Sequence, residues 1–130
     1  MRKTIGLAAA LTAALVCSAV VAKNCDQEDL QKGERVFMRC KACHTVEQGK
    51  NRVGPSLYGI VGRPVASEPG YNYSSAMKTY GNGDAKWTKD RLMTYLADPR
   101  KVVPGTKMSF AGLPKDDERE HVVCYLDQFH

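Results

Sequence analysis

The sequence predicts an all-α fold in which a few short helices are joined by long irregular loops. Three observations carry that expectation. Apolar residues recur at spacings of three and four in three separate segments, the period of a helix with one buried face. The stretch 49–86 holds Gly54-Pro55, Gly59, Gly62, Pro69-Gly70 and Gly81-Asn82-Gly83, and no strand-like alternation survives in it. Finally, Cys40-Lys41-Ala42-Cys43-His44 sets two thiols three positions apart with an imidazole directly after, the spacing of a c-type haem attachment site. The haem, and no sheet, would organise the loops.

The chain opens with Arg2 and Lys3, continues through a largely apolar run over 5–22 and ends that run in Val20-Val21-Ala22. A positive start, an apolar middle and a small-residue end read as a secretory signal peptide over 1–22, cleaved after Ala22. A retained membrane anchor is the competing reading, since the run is about the length of a spanning helix. Its Ala content and its ending favour cleavage. Cys17 follows Val16, where a lipidated cysteine would want a small residue, so it leaves with the signal peptide. Residues 23–130 then form a single domain.

The first helix is expected over 27–39, with Asp26 as N-cap and Asp29 at the third position. Leu30, Gly33, Phe37 and Cys40 share one face. Gly33 in mid-helix costs about 1 kcal/mol against Ala, a cost that close approach of another helix would justify. A second helix fits 89–97, capped by Thr88 and ended by Pro99. The last is expected over 116–128, entered past Pro114, with Val122, Val123, Tyr125, Leu126 and Phe129 on its apolar side. Its partner would be the first helix, met at Gly33 and Phe37.

Net charge is +5, from 19 Lys and Arg against 14 Asp and Glu. Basic residues are spread along the chain and form no run, so nucleic-acid binding is a poor reading. A domain this small has little core of its own, and a large apolar ring would supply one. Zinc and redox-dithiol readings of the Cys pair lack support. Cys17, Cys25 and Cys124 offer no second pair, His121 and His130 are isolated, and there is no βαβ context.

Cys40 and Cys43 would each add to one porphyrin vinyl, and His44 would be the proximal iron ligand. Met108 is the candidate for the sixth position. It follows Pro104-Gly105, a turn that ends regular structure. A neutral thioether favours the reduced ion and raises the potential. Met38, Met77 and Met93 read as filler or surface. His121 is the rival ligand, but its charged neighbours place it toward solvent.

The pieces KGERVFMRCKACH at 32–44, GPSLYGIVGR at 54–63, GYNYS at 70–74, Trp87, LMTYLADP at 92–99, PGTKMSFAGL at 104–113 and YL at 125–126 resemble class I cytochrome c. The resemblance covers residues 25–130 and lies nearest the bacterial cytochrome c2 branch and the mitochondrial carrier. It implies the class I cytochrome c fold and a His44/Met108-ligated haem c. By the same resemblance Pro55 accepts the second ring proton of His44. Tyr73 and Trp87 donate to a buried haem propionate, with Arg63 as the nearby positive charge. Tyr95 sits beside the Met108 sulfur, and Thr106 belongs to that network.

The chain departs from the mitochondrial pattern in three ways. The stretch 77–86 is about three residues longer, Met77 replaces a polar residue, and Asn51 stands near a position often held by His. Cys25 and Cys124 lie near the outer ends of two helices expected to cross. A disulfide, free thiols, a buried Cys124 and an intermolecular bridge all remain open.

The function implied is one-electron transfer by a monomeric periplasmic shuttle, without catalysis. Its donor would be a quinol-oxidising cytochrome bc1-type complex or a periplasmic dehydrogenase. Its acceptor would be a terminal oxidase or a photosynthetic reaction centre, so contact with membrane complexes is transient. Lys41, Lys50, Lys101, Lys107 and Lys115 are candidates for a basic rim that meets acidic patches on those partners. The alternative is a haem enzyme or ligand-binding haem protein with a labile sixth position.

Overall fold

The computed structural model describes residues 25–130. The expected signal peptide, its cleavage site and Cys17 lie outside the described residues. Among the described residues five helices follow in order: α1 (Gln27–Phe37), α2 (Ser75–Tyr80), α3 (Lys89–Ala97), α4 (Pro99–Val102) and α5 (Asp116–Asp127). Among the described residues the only strand-like feature is one isolated bridge between Pro64 and Lys86.

Local chemistry explains where the helices start. Asp26 accepts from the Asp29 amide at 2.8 Å and the Asp29 side chain accepts from the Asp26 amide at 3.4 Å, a closed capping box. Thr88 caps α3 through the Arg91 amide at 3.1 Å. The entry to α5 has no side-chain cap. Asp116, Asp117 and Glu118 instead place negative charge on its first turn, where the helix dipole favours it.

Two short helices were missed in the sequence. α2 lies inside the stretch read as loop, capped by Ser74 through the Met77 amide at 3.1 Å. Six residues are too few to show a period. Pro99 does end α3, but it also opens α4. Asp98 caps the new turn through the Lys101 amide at 3.2 Å, and Pro99 takes the first helical position, where no N–H is needed.

The largest helix contact is α1 against α5, with α3 also packed on α5. Gly33 makes the first crossing possible. A Cβ there would lie 2.1 Å from the His121 carbonyl oxygen and 2.6 Å from the Tyr125 Cβ. The Phe37 and Tyr125 rings pack at 5.3 Å beside it. His121 does not point to solvent as expected. Its Nε2 meets the buried Asp29 carboxylate at 3.3 Å, because the close crossing turns that face of α5 onto α1. Cys25 and Cys124 are joined as a disulfide, with Cα atoms 5.7 Å apart.

Leu113, Val103 and Val122 are almost fully enclosed, and Phe37, Trp87, Leu92, Tyr95 and Leu126 are among the buried residues around them. Many further apolar residues, among them Cys40, Leu57, Met77, Met93, Leu96, Met108 and Phe110, are only partly covered by protein. A fold that leaves so much apolar surface half-wrapped fits the binding of a large apolar group. Met38 is on the surface, as expected.

Candidate functional site

The attachment motif sits in the turns that follow α1. The Cys43 and His44 amides both donate to the Cys40 carbonyl, at 3.0 and 2.9 Å, so the motif is a wound segment with its side chains fixed in direction. Cys40 and Cys43 are free thiols. Burial pushes the Cys40 thiol up to about 11, against the pull of Arg39. Before any haem is attached, Cys40 is therefore a protonated thiol at neutral pH.

His44 is oriented by two contacts. Its Nδ1 lies 2.8 Å from the Pro55 carbonyl oxygen. A carbonyl can only accept, so Nδ1 carries the proton and Nε2 is left with a bare lone pair. Gly54 packs against the ring: a Cβ at that position would lie 2.3 Å from His44 Cε1. Burial lowers the imidazole's affinity for a proton, the Pro55 bond opposes this, and the charge of Arg63 adds to the lowering. Burial and Arg63 outweigh the Pro55 bond and favour a neutral ring, while the Pro55 bond selects the tautomer that can donate from Nε2.

Met108 lies in the extended stretch after α4. The Pro104-Gly105 turn is closed by the Thr106 amide on the Val103 carbonyl at 3.0 Å, with Gly105 at φ 86°. The Tyr95 hydroxyl lies 3.8 Å from the Met108 sulfur. Thr106 accepts from the Met108 amide at 3.3 Å and is hydrogen-bonded to Tyr95. Burial pushes the Tyr95 phenol up to about 12, so it stays a donor.

A third cluster gathers Arg63, Tyr73 and Trp87. The Trp87 amide donates to the Arg63 carbonyl at 2.8 Å, which holds the two segments together. Trp87 is buried and packs on Tyr95 at 4.8 Å, joining this cluster to the methionine side. Arg63 was expected as the positive charge near a buried propionate. It is paired with Glu68 at 2.9 Å, and also donates to the Tyr58 carbonyl at 2.8 Å. Tyr73 was expected as a donor. Its hydroxyl oxygen accepts from the Glu68 amide at 3.0 Å, which leaves its own proton to give.

Other ties were not foreseen. Tyr71 donates from its hydroxyl to the Val53 carbonyl at 2.9 Å, next to Gly54. Lys107 lies 4.6 Å over the Tyr71 ring and donates to the Asn72 carbonyl. The loop carrying Met108 is thus linked through Tyr71 to the loop packed on His44. Asn51 ties its own loop by donating to the Pro69 carbonyl at 3.0 Å and accepting from the Ser56 amide at 2.9 Å. Only the change of residue type at Asn51 hinted at a different tie.

The donor set fits a covalent haem: two unpaired thiols, a neutral imidazole with a free Nε2, a thioether, and a buried Arg63 Nε without a partner. Comparison with known proteins agrees. The sequence profile of the cytochrome c family matches residues 30–129. Cytochrome c2 of Agrobacterium tumefaciens (strain II Chrys) is 46% identical over 99 residues, covering 75% of this chain and 89% of the relative. Among solved structures, cytochrome cH from Methylobacterium extorquens superposes with a TM-score of 0.71 at 42% identity, covering 77% of this chain and 98% of its own. Cytochrome c2 from Rhodospirillum centenum gives a TM-score of 0.71 at 41% identity, covering 78% and 98%. The all-α wrap, the half-covered apolar lining and these likenesses converge: the chain belongs to the cytochrome c family, class I and of the cytochrome c2 type, a haem c protein that carries single electrons between redox proteins and catalyses no reaction of its own.

Proposed function

We propose that residues 23–130, released after signal cleavage, act as a soluble monomeric shuttle in the periplasm, with haem c bonded to Cys40 and Cys43 and ligated by His44 and Met108. The single observation that carries the ligand assignment is the pairing of oriented donors: His44 with its Nδ1 on Pro55, and Met108 with its sulfur beside Tyr95. When bound, the haem supplies a ferric/ferrous couple that gains or loses one electron. His44 and Met108 stay in place in both states, which keeps rearrangement small. Tyr95 and Thr106 hold the methionine, and Arg63, Tyr73 and Trp87 receive the propionate side. The partly covered apolar lining excludes water.

The donor in this reading is a bc1-type complex or a periplasmic dehydrogenase, and the acceptor an oxidase or a photosynthetic reaction centre. Similarity to cytochrome c2 proteins supports both the compartment and this class of partner. Lys41, Lys50, Lys101, Lys107 and Lys115 are all exposed, though Lys50 is paired with Glu47 at 2.9 Å and Lys107 is held by Asn72. A weak, salt-sensitive encounter suits such a rim.

The test is the ferric absorption spectrum of the purified holoprotein at neutral pH. A sulfur-to-iron charge-transfer band is expected in the parent and lost in Met108→Ala, which should also bind cyanide at least about tenfold faster, a barrier change of roughly 1.4 kcal/mol. A parent that lacks the band and takes up cyanide rapidly would instead support the labile-ligand alternative.

A further inference from the structure

We infer that Glu68 is a potential-setting residue: its carboxylate cancels the charge of Arg63 beside the anionic edge of the haem and holds the midpoint potential below the value Arg63 alone would impose. This rests on the haem-carrier reading above.

The pair is built into the fold. The side chains of Arg63 and Glu68 are only 13% and 8% exposed, with Nη1 and Oε2 2.9 Å apart. The chain turns back on itself to make the contact. Ala66 adopts the left-handed conformation at φ 57° with no glycine to ease it. Ser67 donates to the Pro64 carbonyl at 2.6 Å within the same turn. Glu68 is then fixed a second time, by its amide on the Tyr73 hydroxyl. A buried ion pair is a poor source of stability, since desolvation offsets most of the attraction. Stability is therefore a weak reason for a strained turn to bury this one.

The remaining donors of Arg63 show what the pair faces. Nη1 already serves Tyr58 and Glu68, whereas Nε is buried with no partner. An anion received there meets a guanidinium whose charge Glu68 has already cancelled. The sign follows from Coulomb's law: negative charge near the iron favours the ferric over the ferrous state.

The experiment is a mediated redox titration of the purified holoprotein. E68Q keeps the shape and an acceptor but removes the charge. It should shift the equilibrium at least about threefold toward the ferrous form, roughly 30 mV upward at 59 mV per tenfold for one electron. E68D, which keeps the charge, should stay near the parent. A residue that only braced the loop would change thermal stability in E68Q and leave the midpoint where it was, and that result overturns the inference. So does an E68D midpoint displaced as far as that of E68Q. If E68Q fails to accumulate, E68A is titrated in its place with the same two outcomes. A parent without covalent haem or its methionine band would defeat the carrier reading itself. An intact parent spectrum with unmoved midpoints defeats only the role of Glu68.

Discussion

Gly54 and His44 show how little freedom one residue has in this site. The imidazole is held between the Pro55 carbonyl and the bare backbone of Gly54, so a methyl group cannot enter without displacing the ring. Gly54→Ala is expected to rotate His44 away from Pro55 and to cost about 2 kcal/mol as overpacking. The check is the holoprotein's midpoint potential together with its denaturation midpoint, and both should fall. If both stay at parental values, the close packing has no consequence. The attachment motif named His44, and the resemblance named Pro55. Neither could name Gly54 as the wall of the site, because contact with a ring ten residues earlier exists only after the loop has closed.

At the scale of elements, the α1–α5 crossing is where local preference and packing oppose each other. Ala at position 33 would gain about 1 kcal/mol of helix propensity. It would also place Cβ 2.1 Å from a backbone oxygen of α5, which cannot move without separating the helices. Packing should win, with Gly33→Ala losing roughly 3 kcal/mol in a urea titration of the holoprotein. A neutral or stabilised variant would show that the crossing is looser than its geometry. An acid-sensitive contact joins the turn just past α1 to α5. Arg39 binds Glu118 through two hydrogen bonds of 2.9 Å and holds its carboxyl below the ordinary 4.5. The folded value is the lower one, so this contribution is present above 4.5 and is lost as pH falls through the depressed value. Unfolding curves of the parent and Glu118→Gln should therefore converge in strong acid and separate above that pH. Curves that stay parallel throughout would assign the pair no pH-dependent role.

The whole molecule depends on closures between residues far apart in sequence. Cys25 and Cys124 are 99 positions apart, and their bond ties the start of α1 to α5. A loop of that length is worth about 4 to 5 kcal/mol if the bond acts by restricting the unfolded chain. The double variant Cys25→Ser, Cys124→Ser should unfold at clearly lower urea while its ferric spectrum stays parental. An unchanged unfolding midpoint would mean the chain closes as well without the bond. The haem adds a second closure: held covalently beside His44, its iron would reach a ligand as distant as Met108 only in the folded chain, and that bond would stabilise the folded state.

Local signals in the residues established much of this protein. Spacing within a few residues marked the attachment motif, periodicity located α1, α3 and α5 within two residues at their ends, and Asp26 and Thr88 announced their helices. These features act over one or two helical turns, so a linear reading can see them. The tertiary structure alone decided the pairing of Cys25 with Cys124, the turn of His121 onto Asp29, the role of Asn51 as a tie and the capture of Arg63 by Glu68. Each depends on how a distant or strained backbone is placed, and that placement is set by the folded chain as a whole.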